Sequence, residues 1–319
     1  MNEIGGYFGL ELKKGKEYHV GAIKLNTGRN AFEYVLEANN YTKVYIPYYT
    51  CDALLQPIIK LKIAYEFYLI NKDLEPLFDF RKVKKREAFL YTNYFGLKDK
   101  FVLKLYKNCK NLIIDNSQAF FSKPLNNIDT FYTARKFFGV SDGAYLYTKK
   151  QLTKKFETDN SLKRSEHLLR RIENSAQDGY PYFLKSDGSL NNLPILKMSK
   201  LTQRILESVD YKFVALKRKS NYNFLNQELK SLNLIRLPLG KNQVPMVYPF
   251  LTNNASLRNK LTEKNIYTAQ YWPNILKWVD KKALEYKYSS NLIHLPIDQR
   301  HETSDLIKVV KIIKDEYKR

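Results

Sequence analysis

Cysteine, tryptophan, methionine and histidine are scarce in this chain of 319 residues, at two, two, three and four copies. The two cysteines, Cys51 and Cys109, form no CxxC pair, which argues against a disulfide framework and suits a reducing compartment. His19, His167, His294 and His301 make no HExxH or His/Cys cluster, so no metal site is expected. Carboxylates are also few, 32 acidic against 54 basic residues, giving a net charge of +22. No apolar run approaches the length of a membrane span, and the opening stretch MNEIGGYFGLELKKG has no signal-peptide core. A cytoplasmic protein without a membrane partner is therefore expected.

What is present suffices for a large core. Hydrophobic residues make up 44% and charged residues 27% of the chain, a balance that excludes extensive disorder. The length suits one large α/β domain with a smaller partner. A basic excess is the electrostatic footprint of phosphate binding. Here the cations are scattered (Lys13, Lys14 and Lys16; Lys82, Lys84 and Lys85; Lys154 and Lys155; Lys217 and Lys219) and no nucleic-acid motif accompanies them. The expectation is a lysine-rich surface that helps attract a small anionic substrate, with no nucleic-acid partner.

Apolar segments alternate with amphipathic ones, as in a mostly parallel sheet with helices on both faces. The pattern predicts helices at 25–39, from about 52, and at 98–106, and strands at 43–47, 63–70, 86–96 and 111–118, with a further pair at DTFYTA and GAYLYT. From 149 to 177 a long polar helix is expected, then a Gly/Pro/Tyr loop over 179–194 and a long helix over 199–230. A smaller α+β domain follows, with strands at 244–251 and 293–295 and helices at 254–264 and 304–317. The expected division is a large domain over 1–210 and a small one over 211–319.

The segments NLIIDNSQAFF and DTFYTARKFFGVSDGAYLYT carry the chemistry. Leu112 to Ile114 read as a buried strand that delivers Asp115 at its carboxyl end, where open α/β sheets place ligands. Further along, Lys136 sits among Phe131, Tyr132, Phe137 and Phe138, a setting that would lower an amine's proton affinity. A carboxylate for a pyridinium nitrogen and a lysine for a Schiff base are the two groups pyridoxal phosphate (PLP) needs from a protein. Taken alone, Asp115 reads equally as a loop aspartate capping a helix. Gln118 is placed to reach the ring's phenolic oxygen. Gly28, Arg29 and Asn30 at a helix start, with the hydroxyl of Thr133, suit a phosphate. Tyr49 and Tyr94, at the ends of neighbouring strands, are candidates to cover the ring and equally ordinary packing residues.

With IGGYFGLEL, LNTGRNA, VYIPYYTCDA, NYFG, IIDNSQA, ARKFFGVSDGAYLYT, VYPFL, IYTAQYWP and NLIHLPIDQR in this order, the chain resembles the DegT/StrS-type sugar aminotransferases of the aspartate aminotransferase superfamily. The resemblance implies the PLP-dependent transferase fold of type I: a mostly parallel central sheet with helices on both faces plus a smaller α+β C-terminal domain. It implies that Asp115 meets the pyridine nitrogen, Gln118 lies near the ring oxygen, Lys136 holds the cofactor, and Gly28, Arg29 and Asn30 hold its phosphate with Thr133. It also implies a homodimer that moves an amino group from L-glutamate to a keto group of a nucleotide-linked sugar, for a surface polysaccharide or glycoconjugate. Many relatives have a ring-stacking aromatic where this chain has Cys51. The competing readings are a PLP enzyme of other chemistry, such as a dehydratase or lyase, and an inactive fold relative acting as a basic binding protein.

Overall fold

The structure is a computed structural model that describes residues 4–318. Ten strands form two sheets: β1 (Ile23–Leu25), β2 (Lys43–Pro47), β3 (Ala64–Ile70), β4 (Pro76–Leu77), β5 (Glu87–Thr92), β6 (Leu112–Asp115), β7 (Asp129–Thr133), β8 (Ala144–Tyr147), β9 (Tyr248–Leu251) and β10 (Leu292–Leu295). The first eight pair in the order β1-β8-β7-β6-β5-β2-β3-β4. The run from β7 to β3 is parallel, whereas β8, β1 and β4 attach antiparallel at the margins. Strands β5 and β6 are buried almost throughout, as parallel strands covered on both faces must be.

The helices are α1 (Gly28–Asn39), α2 (Leu55–Lys60), α3 (Asp99–Asn108), α4 (Glu166–Glu173), α5 (Ala176–Gly188), α6 (Lys200–Glu207), α7 (Tyr211–Leu229), α8 (Leu257–Glu263), α9 (Ile275–Trp278), α10 (Leu284–Asn291) and α11 (Thr303–Lys318). Helix α1 starts where Thr27, in extended conformation, accepts the Asn30 amide, and stops at left-handed Asn40. Its apolar face (Ala31, Phe32, Val35, Leu36) packs with Val44, Ile46, Leu90 and Ile113 in one of two buried clusters. The other cluster runs from the opposite face of the large sheet into the antiparallel pair β9–β10 and on to α11.

Three expectations change. Residues 149–165 are mainly irregular, and only 166–173 form α4; Leu152 and Phe156 are instead drawn toward α1, the Leu152 amide donating to the Tyr34 hydroxyl at 2.8 Å. The expected loop after 179 is largely helix α5, capped by Ser175 and continuing through Pro181. Tertiary packing overrides the local signal there: a Cβ at Gly179 would stand 3.0 Å from the His167 carbonyl oxygen, so glycine lets α5 close on α4. The expected long helix over 199–230 is broken into α6 and α7, Asp210 capping the second through the Phe213 amide.

Candidate active site

Strand order reverses between β5 and β2, and the carboxyl ends of β2, β5, β6 and β7 deliver Pro47, Thr92, Asp115 and Thr133 along one edge. Asp115 faces Thr92 across the β5–β6 ladder and is 5% exposed. Its Oδ1 accepts the Ser117 amide at 2.8 Å, and the Thr92 hydroxyl lies 3.5 Å from Oδ2. Burial pushes the carboxyl above its ordinary range, opposed by the charge of Lys136 and by the Ser117 and Thr92 donors.

Lys136 follows β7 on a turn closed by the Phe137 and Phe138 amides on the Ala134 carbonyl, both at 2.9 Å. Its Nζ lies 3.3 Å from Ser117 Oγ, so Ser117 touches both the carboxylate and the amine. The expected aromatic wrapping is corrected: Phe131, Tyr132, Phe137 and Phe138 turn into the core, and Lys136 itself is exposed. Side chains of consecutive residues in a tight turn diverge, so sequence neighbours do not surround the amine.

Gln118 is fully buried, and its Oε1 accepts the Phe95 amide at 2.9 Å, while Nε2 is buried without a partner among the described residues. Gly28 opens α1 directly beside β7: a Cβ placed there would lie 3.9 Å from Thr133 Cβ and from the Phe131 ring. The Gly28 and Arg29 amides have no intrahelical acceptor by helix geometry, while the Thr133 hydroxyl donates weakly to the Gly143 carbonyl at 3.4 Å. Among the described residues, Arg29 reaches only the neutral oxygens of Gln56 (2.8 Å) and Asn191 (2.5 Å). Burial, with Arg135 in support, holds its guanidinium below the ordinary value, against Cys51 and Asp187. Asn30 is engaged in the fold: its amide meets Thr27 Oγ1, and its side chain donates to the Leu193 carbonyl at 2.8 Å.

Tyr49 and Tyr94 lie in the aromatic core. The Tyr94 hydroxyl donates to the Tyr49 carbonyl at 2.9 Å, while the Tyr49 ring packs edge-on against Trp272 and its hydroxyl has no partner among the described residues. Cys51 sits on the segment after β2; burial raises its thiol, and the Lys136 charge opposes that shift. From α5, Asp187 pairs with Arg135, the residue before Lys136, at 2.8 Å.

Ser117, Asp187 and Asn191, which touch Lys136, Arg135 and Arg29, are residues to which the sequence assigned no role at the site. Ser117 had a signal, its place two residues after the carboxylate. Asp187 and Asn191 had none, because they come from a segment read as loop.

No family model matches the chain, and no curated protein does. Solved structures do. A DegT DnrJ EryC1 StrS aminotransferase from Brucella abortus superposes with a TM-score of 0.66 at 15% identity, covering 93% of this chain and 86% of that one. DesV from S. venezuelae, in complex with a ketimine intermediate, gives 0.65 at 15% identity over 93% and 85%. NtdA from Bacillus subtilis, with bound cofactor PMP, gives 0.65 at 16% identity over 93% and 73%. The chain thus has the fold of the PLP-dependent DegT/StrS-type aminotransferases, including the mostly parallel eight-stranded sheet and the small antiparallel one.

Proposed function

We propose that this chain is a PLP-dependent aminotransferase that moves an amino group from L-glutamate to a keto group on a nucleotide-linked sugar, working as a homodimer in the cytoplasm. The observation that carries this is the Asp115–Ser117–Lys136 arrangement at the carboxyl edge of the parallel strands, beside the open start of α1. The residues fit the cofactor. Asp115 is a buried carboxylate without an ion-pair partner among the described residues, and a cationic ring nitrogen would offset its desolvation. Gln118 Nε2 is a buried donor in need of an acceptor. The amides of Gly28 and Arg29, with Thr133, suit a phosphate.

When bound, the cofactor supplies an electron sink for carbanion chemistry. The remaining work falls to the chain. Asp115 keeps a proton on the ring nitrogen by staying ionised beside it. Lys136 provides the primary amine that would hold the group; once the donor's own amine displaces it, the free Nζ takes the proton from the donor's α-carbon and, in the reverse half, gives one to the former keto carbon of the sugar, with Ser117 Oγ 3.3 Å away to steady it. Arg29, which among the described residues meets only neutral oxygens while Arg135 is paired with Asp187, biases the site toward anions, which suits the carboxylates of glutamate and a diphosphate. Asn30 is kept as support for the phosphate loop, and Tyr49 and Tyr94 as packing beneath it. The large and small domains, 1–210 and 211–319, are the units that enclose such a site.

Purified protein given PLP should turn yellow, and borohydride should fix the cofactor's mass on Lys136. Lys136→Ala should show neither effect. Asp115→Asn should bind the cofactor and lose turnover by about 100-fold or more, since an amide holds no ring proton. Wild-type protein that stays colourless and unlabelled would overturn the reading. A screen of keto-sugar nucleotides with glutamate, followed by 2-oxoglutarate release, tests the substrate class.

A further inference from the structure

Helix α7 buries a guanidinium that has no carboxylate. Arg218 is 2% exposed, and no acidic oxygen lies within ion-pair distance among the described residues. Such burial is costly unless every donor is met. Here Nη1 donates to the Met246 carbonyl at 2.9 Å and more weakly to that of Pro245 at 3.5 Å, and Nε donates to Gln299 Oε1 at 3.2 Å. The last two contacts fall on one residue: Nη2 lies 3.4 Å from the Phe137 carbonyl oxygen, and the guanidinium carbon stands 4.6 Å above the Phe137 ring.

Phe137 directly follows Lys136. Its carbonyl accepts a second, shorter bond from Gln299 Nε2 at 2.9 Å. Gln299 is itself held by α7, because Asn221, one turn beyond Arg218, donates to the carbonyls of Ile297, Asp298 and His301. Residue 137 is therefore gripped by its carbonyl and by its ring, from elements that belong to the C-terminal part of the chain. The same guanidinium closes a path back to the other side of the site. Gln118 Oε1 accepts the Phe95 amide, the Phe95 carbonyl accepts the Met246 amide at 2.9 Å, and the Met246 carbonyl accepts Arg218.

We propose that Arg218 and Gln299 are positioning residues for Lys136: by fixing Phe137 they set the turn that presents the amine, and they tie its direction to the seating of the C-terminal part against the sheet. The inference rests on the assignment of Lys136 as the reactive amine. A role in stability alone would require packing and satisfied donors. It would not require that the fork, the glutamine and the ring contact converge on the residue next to the amine.

The test uses the full-length protein with Gln299→Leu, a substitution at a partly exposed site, and with Arg218→Met and Arg218→Lys. The first readout is cofactor-free: the rate at which Lys136 is acetylated by acetic anhydride relative to the other lysines, mapped by mass spectrometry. The second is the rate at which yellow colour develops on addition of PLP. Gln299→Leu should melt within a few degrees of wild type and still change the relative acetylation of Lys136 at least threefold and slow colour development by a similar factor. Arg218→Met should do so more strongly, and Arg218→Lys should restore part of the effect. Folded Gln299→Leu and Arg218→Lys proteins with wild-type values in both readouts would overturn the proposal. If wild type develops no colour, the cofactor reading fails by itself, and the acetylation pattern still decides whether the two residues control the amine. Should Arg218→Met not fold, Gln299→Leu carries the decision.

Discussion

Two buried histidines show at the residue scale how this chain uses its few imidazoles. His19 lies 2% exposed among Tyr18, Phe120, Tyr132, Tyr145 and Tyr147, its Nε2 2.8 Å from the Phe120 carbonyl oxygen. That bond makes Nε2–H the donor and leaves Nδ1 to accept the Tyr147 hydroxyl at 3.2 Å, so the neutral ring is fully satisfied. Burial lowers its pKa to about 4, and that of His294 to about 3. The unfolded chain, with histidines near 6.5, takes up protons first as pH falls. The neutral-state contribution is therefore complete above pH 6.5 and is lost between 6.5 and about 4. The expected outcome is a melting temperature that drops across this window, with His19→Gln flattening the slope; for His19 the effect is at most about 3 kcal/mol. A wild-type melting temperature that does not change between pH 7 and 5 would contradict the assignment. Asp115 differs in kind: its folded pKa is raised, so its burial is a functional expense of stability at neutral pH that a cationic ligand would remove.

Among the elements, the turn after β5 combines a left-handed glycine with a close backbone approach. Gly96 has φ of +71°, and a Cβ there would stand 2.8 Å from the Val244 carbonyl oxygen and 3.2 Å from that of Gln118. Neither contact can yield without backbone movement. Gly96→Ala should cost about 2–3 kcal/mol, from the left-handed penalty together with the clash. A denaturant midpoint equal to wild type would show that the turn relaxes freely. Because the Phe95 amide in that turn holds Gln118 Oε1, the same variant should also weaken PLP binding. The apolar pattern predicts a strand over 86–96, whereas the strand stops at Thr92 and Tyr94–Gly96 form a tight turn; the close approach of 244 to 96 has no local signal. It joins residues far apart in the chain.

For the whole molecule, the pair α4–α5 presents an apolar surface, with Leu169, Ile172, Tyr180 and Leu184 between 51% and 78% exposed. Apolar side chains grouped this way mark a contact surface, and α5 is also the helix that carries Asp187 toward Arg135. The homodimer in the proposed function would cover it. Sedimentation velocity should show a dimer for wild type and mainly monomer for Ile172→Asp. A monomeric wild type would remove this part of the reading. Among the described residues, no helix is long and apolar enough to cross a membrane.

Local patterning by itself determined β2, β3, β5, β6, β7 and β8 and helices α1, α2 and α3, because burial on both faces leaves continuous apolar runs and helix starts carry capping side chains, whereas the short marginal strands β1 and β4 left no such pattern. It also placed Asp115 at a strand end and Gly28 at a helix start, since both follow from short-range chemistry. Only the tertiary structure decided that Thr133 meets Gly28, that Ser117 links Asp115 to Lys136, and that Lys136 is exposed while its aromatic neighbours are not. Those facts depend on which strands become neighbours and on how a turn splays its side chains. The helix over 176–188 belongs to the same class: its glycine and proline read as loop until α4 offers a surface on which the segment closes.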